Sequence, residues 1–106
     1  MILYNVTVNI DEDVHAEWLL WMKEEHIPDM LATGLFTAAH LHRVLAEEEG
    51  GLTYAVQYHA PDMAHYEEYV RLHADRLRGI TERRFGGRYV AFRTLLERVH
   101  GSEERP

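Results

Sequence analysis

Hydrophobic residues alternate with polar ones at the start of the chain: Ile2, Tyr4, Val6, Val8 and Ile10 against Leu3, Asn5, Thr7 and Asn9. That period-two pattern predicts a strand with one strongly apolar face. Asp11 then stands at an N-cap position, with Glu12 and Asp13 in the first turn, where acids favour the helix dipole. Val14, Trp18, Trp21 and Met22 repeat at helical spacing, which predicts a helix to about His26. Pro28 has no amide hydrogen, so a bend is expected at Ile27 and Pro28, followed by a helical turn over residues 29–33 that Gly34 stops.

Alternation returns over residues 35–45, a polar turn spans 47–51, and 52–59 reads as the next strand. Matching apolar faces sets Leu41 opposite Val56 and Leu45 opposite Leu52 in an antiparallel hairpin, because a one-residue slip reverses every side chain. Pro61 and Asp62 open a second helix with an inward stripe of Met63, Tyr66, Tyr69, Val70, His73, Leu77 and Ile80. Gly86 and Gly87 separate it from a last strand, 88 to about 96, and residues 101–106 read as a frayed tail. The order βαββαβ predicts an α+β, ferredoxin-like fold over residues 1–100 as one domain: a four-stranded antiparallel sheet with two helices on one face.

Such a sheet has a second face without helices. On this reading it carries Phe36, Ala38, Val44, Ala55, Tyr89 and Ala91 beside polar groups, too apolar to be left in water. Two copies packed sheet to sheet hide it, so a homodimer is expected, in the manner of a dimeric α/β barrel.

Composition narrows the function classes. The chain has 106 residues, no cysteine and a formal net charge of −7, so disulfides, thiolate zinc sites and a cysteine nucleophile are out. Residues 1–53 carry a charge of −8 and residues 54–106 a charge of +1, with a single lysine, Lys23. A nucleic-acid partner, which calls for clustered basic groups, is not expected. No apolar run approaches the roughly 18 residues of a membrane span and the first apolar stretch is too short for a signal peptide, so a cytoplasmic protein without a membrane partner is expected. There is no phosphate-binding glycine loop and no nucleophile elbow, and Ser102 is the only serine.

Three constellations remain. Trp18, Trp21, Met22 and His26 face Tyr4, Tyr54 and Tyr58 across the apolar side of the sheet. The ordinary reading is a core with polar tips at its rim; the functional one is a flat apolar pocket with His26 as orienting acid or base. Asn5, Thr7, Asn9, His40, His42, Thr53, Gln57, His59 and Arg93 are expected on the opposite face, where they either satisfy one another across the dimer or surround a ligand. Third, His40 and His42 project the same way from one strand with His59 diagonal to them; no metal site is assigned, and this trio is the runner-up.

The segments 4–9 (YNVTVN), 18–23 (WLLWMK), 26–28 (HIP) and 32–34 (ATG), then 48–50 (EEG), 53–58 (TYAVQY) and 90–97 (VAFRTLLE), resemble a family of short bacterial proteins known as domain of unknown function 4286. The resemblance spans nearly the whole chain, with the second helix, 62–84, only loosely matched, and it implies no activity, cofactor or catalytic residue. The fold is also similar to that of the dimeric α/β-barrel superfamily, which includes cofactor-free monooxygenases and haem-degrading enzymes that use an Asn, a Trp and a His. Asn5, Trp18 and His26 are of those types, but Asn5 is expected to point away from the other two.

The expectation is a homodimeric α/β barrel that binds a small organic molecule, aromatic compounds included, without a cofactor. The pocket candidates are Asn5, Trp18, Trp21, His26, His40, Gln57, Tyr58 and Arg93, around a cavity of at least about 300 Å³. The alternatives are a non-catalytic protein-interaction or regulatory module and a cofactor-free monooxygenase-like enzyme.

Overall fold

In the computed structural model, which describes residues 1–46 and 50–103, the first alternating segment becomes the central strand β1, Ile2–Ile10. It pairs antiparallel with β3, Leu52–Ala60, on one side and β4, Tyr89–Glu97, on the other. β2, Ala38–Arg43, adds to the outer edge of β3, so the sheet order is β2-β3-β1-β4. The hairpin register is the expected one, with Leu41 opposite Val56. β2 is shorter than its alternation suggests: the ladder ends at Arg43, and Leu45, instead of facing Leu52 in the core, is 92% exposed. Part of the predicted turn, residues 47–49, and the end of the predicted tail, 104–106, lie outside the described residues.

The first helical layer starts with a 3-10 turn, Glu12–Val14, and continues as α1, His15–Trp21. The backbone stays helical through Pro28: a π turn, Met22–His26, leads without a break into α2, Ile27–Ala32, with Pro28 in its first turn. The amide of Ile27 bonds back to the Met22 carbonyl, five residues away. That wider turn gives the proline ring room against the preceding carbonyls, and its missing amide falls among donors that need no helical partner. Gly34, at φ +77°, ends the helix as expected.

The second layer is α3, Met63–Tyr69, a π turn over Val70–Ala74, and α4, Asp75–Phe85. Asp62 caps it, its side chain accepting from the His65 amide at 2.9 Å. The π turn inserts one residue into the helical period and moves the inward stripe. Tyr69, Ala74, Leu77 and Phe85 are buried with Tyr66 and Ile80 against them, whereas Met63 and Val70 are exposed and His73 is half-buried.

Both layers cover the same side of the sheet, and the core lies between: Ile2, Tyr4, Val8 and Ile10 from β1, Tyr54, Val56 and Tyr58 from β3, Trp18, Trp21, Met22 and Met30 from the first layer. Phe36, Tyr89 and Ala91, assigned from sequence to the bare face, pack in this core instead. Phe36 precedes β2 and turns under the sheet to meet Tyr58 at 5.5 Å and Tyr69 at 5.0 Å. In β4 the phase is opposite to that expected: Tyr89 and Ala91 face the helices, while Val90 and Phe92, 71% and 64% exposed, face away.

Candidate ligand-binding site

The predicted site residues divide between the two faces of the sheet. On the helical side, a partly open cavity of about 60 Å³ is lined by Trp18, His26, Tyr58 and Arg93, four of the sequence candidates, together with Tyr4, Met22, Met30, Tyr69, Arg78 and Tyr89. Trp21 is not among its walls: it stacks on the His26 ring at 4.9 Å and packs against Phe85 at 5.3 Å. The cavity volume falls well short of the expected 300 Å³, because phenol rings and arginine side chains fill the space between the layers. Trp21 does border a hollow of about 290 Å³ with Glu24, Glu25, Asp29, Ile80 and Arg84, but that hollow is open at the surface.

The aromatic cluster read from sequence is two clusters. Trp18 meets Tyr54 at 5.2 Å, and the Tyr54 hydroxyl lies 2.6 Å from His15 Nε2. Tyr4 is surrounded instead by Tyr66, Tyr69, Tyr58 and Phe36, at 5.2 to 6.2 Å. Burial drives the Tyr58 and Tyr69 phenols well above their usual pKa, so both are neutral at any physiological pH. Tyr89, whose hydroxyl donates to Glu82 at 2.8 Å, is pushed up to about 12 by burial and then by that carboxylate.

His26 sits at the end of the π turn, so the widened backbone is what turns its ring toward the cavity. Burial holds the imidazole down to about 4, and the nearby Asp29 carboxylate only partly opposes this. Its ring makes no hydrogen bond to a described residue. A neutral imidazole with free nitrogens, stacked on an indole, can accept a proton from or donate a hydrogen bond to a group in the cavity.

At the other end, Arg93 was expected on the bare face. The β4 register sets it opposite Val6, and its Nε donates to the Tyr4 hydroxyl at 2.9 Å. The same oxygen accepts from Arg78 NH2 at 3.2 Å. Sequence reasoning missed Arg78; with the inward stripe corrected for the π turn, an arginine between Leu77 and Thr81 is the signal that points to it.

On the bare face, Asn5, His40 and Gln57 come together as expected, Gln57 standing opposite both Asn5 and His40. Asn5 Nδ2 donates to Thr7 Oγ1 at 3.2 Å, while its Oδ1 is buried without a partner. Asn9 Nδ2 donates to Thr53 Oγ1 at 3.0 Å, and Gly51 at φ +72° lets the turn pass so close that an added Cβ would lie 2.3 Å from Asn9 Oδ1. His40 Nδ1 and His59 Nε2 are 3.2 Å apart, and burial, His40 and Arg98 hold the His59 imidazole below its usual pKa. His42 stands apart, its ring 6.2 Å from that of His40. Among the described residues no group of three His, Asp or Glu is arranged to hold a metal ion, so the histidine trio does not form a ligand set: two of its rings spend their facing nitrogens on each other. Asn5 is separated by the sheet from Trp18 and His26, and the three do not share a cavity.

A four-stranded antiparallel sheet in this order, with helices on one side only, is the ferredoxin-like α+β fold. The chain belongs to the DUF4286 family, a domain of unknown function whose family model matches residues 1–99. No curated protein matches its sequence. Among solved structures it is similar to HapK from Hahella chejuensis, with a TM-score of 0.73, 10% identity and all of both chains covered. An antibiotic biosynthesis monooxygenase has a TM-score of 0.63 and 14% identity over 94% of this chain and 100% of that one. A dimeric ferredoxin-like protein from an uncultured marine organism has a TM-score of 0.62 and 14% identity over 95% and 97%. At these identities the likeness is one of fold. No helix among the described residues is long and apolar enough to cross a membrane.

Proposed function

We propose that this protein is a homodimer, joined through the bare faces of its sheets, and that it binds a small organic molecule between sheet and helices. The observation that carries the binding reading is His26: a neutral, half-buried imidazole with no hydrogen bond among the described residues, set in the wall of an aromatic cavity. The resting volume of about 60 Å³ holds about two waters, so a ligand enters by displacing side chains, and Met22 and Met30 in the same wall are the adaptable ones. The expected cytoplasmic setting belongs to the same proposal.

The dimer reading has its own support. The protomer exposes 6982 Å², against roughly 6,100 Å² for a compact chain of its mass. Part of that excess belongs to the exposed residues 98–103, and part to Val90, Phe92 and Leu96 standing along one face of β4. A structural neighbour is described as dimeric, which favours the same arrangement.

A thermal-shift screen of the native protein with aromatic metabolites, haem and divalent metals tests the binding reading, since whatever binds the native state must raise its stability. An upward shift that is lost in His26→Leu supports it. The small resting cavity also favours a second reading, a non-catalytic interaction module. That reading gains if no small molecule moves the melting temperature and a stable protein partner co-purifies.

A further inference from the structure

Ten of the eleven basic side chains in this protein are arginines, and two of them, Arg84 and Arg88, reach carboxylates on another element. Arg84 pairs with Glu17 and Glu25, and Arg88 with Asp11 and Asp13. Arg78 and Arg93 do not: neither has an ion-pair partner among the described residues. From α4 and β4, fifteen positions apart in sequence, they converge on one neutral atom, the Tyr4 oxygen, at 3.2 and 2.9 Å. Their donor nitrogens therefore lie within about 6 Å of each other. Arg78 is half-buried, and its Nε is fully buried with no hydrogen-bond partner among the described residues. Glu82, one turn further along α4, accepts from the Tyr89 hydroxyl and forms no ion pair with either arginine among the described residues.

Arg78 is a half-buried cation that shares its phenol acceptor with a second guanidinium and keeps a buried N–H unpaired, a costly arrangement in a folded protein, where buried charge is ordinarily paired and buried donors are ordinarily satisfied. The phenol oxygen has only two lone pairs, and both guanidinium groups lean on it where a counter-anion would serve them better. Arg93 is solvent-exposed and Arg78 is not, so the pair marks a mouth and an inner wall of the same cavity. Beyond them the lining turns apolar: Val6, Val8, Trp18, Met22 and Val56.

We propose that Arg78 and Arg93, with the Tyr4 hydroxyl, form the anion-binding end of this cavity, and that its ligand is an aromatic carboxylate. The proposal rests on the small-molecule reading above and adds the ligand's class. The carboxylate takes the place of the phenol as the shared acceptor, with Arg78 Nε supplying the donor that now has no partner. The ring points toward Trp18 and His26. A single carboxylate matches two guanidinium forks, and the apolar lining beyond them favours an aromatic body over a second charged group.

The test compares benzoate and phenylacetate with their uncharged counterparts, benzyl alcohol and phenylethanol, and with inorganic phosphate, reading melting temperature and Trp fluorescence at fixed ionic strength. The acids are expected to bind at least tenfold more tightly than the alcohols, with the preference lost in Arg78→Gln and Arg93→Gln but retained in Arg83→Gln. Arg78→Gln removes a half-buried unpaired cation and Arg93→Gln changes an exposed side chain, so both variants are expected to melt close to the wild-type temperature without ligand, and the loss is not one of folding. Acids and alcohols binding equally overturns the anion site and leaves small-molecule binding standing. Phosphate binding more tightly than either acid overturns the carboxylate assignment. No shift with any of these compounds overturns both readings.

Discussion

The two faces of this sheet are built by the same alternation and end in opposite states. On the helical side every second residue of β1 and β3 is buried apart from the half-buried Val6 and Leu52, and the aromatic rings pack against one another until only about 60 Å³ is left. On the bare side the intervening residues are half-exposed, hydrogen-bonded pairwise along the surface, and bordered by the apolar stripe Val90, Phe92 and Leu96. The difference teaches where each property resides. Stability is concentrated in the closed layer, because apolar burial is the main favourable term and each large side chain there touches many neighbours. The open layer contributes little to the protomer and leaves its pattern available for association.

Substitutions on either side should separate these roles. Trp18→Ala, at a residue 1% exposed, removes the largest fully buried side chain and is expected to cost about 3–5 kcal/mol in urea unfolding. Phe92→Asp is expected to leave the protomer folded yet weaken self-association by about 100-fold or more, read by light scattering across micromolar concentrations. A wild-type protein that is already monomeric there would break the comparison, since the apolar stripe would then have no partner to explain it. His26 gives the next effect. Its folded pKa of about 4 lies below the unfolded value near 6.5, so the unfolded chain binds the extra proton first. Stability is therefore full above about pH 6.5 and falls as pH drops toward 4, by on the order of 3 kcal/mol, and His26→Gln should flatten that limb of the pH–stability curve. Smallest is Gly51→Ala, at the rim where the two faces meet: φ of +72° and the contact with Asn9 predict a loss of about 1–2 kcal/mol.

Much of the site was within reach of the sequence. Trp18, His26 and Tyr58 were placed on the correct side by periodicity alone, and Asn5 and His40 on the other. Arg93 was recognised as a pocket residue but assigned to the wrong face, and Arg78 was not recognised. Both errors have a physical origin. β4 is an edge strand whose more apolar set, Val90, Phe92 and Leu96, faces away from the helices while Tyr89, Ala91 and Arg93 face them, so taking the more apolar set as the inward one gives the wrong phase. The helix periods were read at a constant 3.6 residues per turn, whereas two π turns each add a residue and rotate everything after them.

What the sequence determined by itself is the local grammar: strands from alternation, the hairpin register from matching apolar faces, the stop of the first helical layer from Gly34 and the start of the second from Asp62, and so the ferredoxin-like order of elements. Those signals act between residues a few positions apart and need no third element. The tertiary structure decided which face β4 shows, because only pairing with β1 fixes its phase. It also brought Arg78 and Arg93 onto Tyr4 from 74 and 89 positions away, a contact no local pattern encodes. Convergence of that kind depends on how three separately formed elements pack, and packing is settled by the whole core at once.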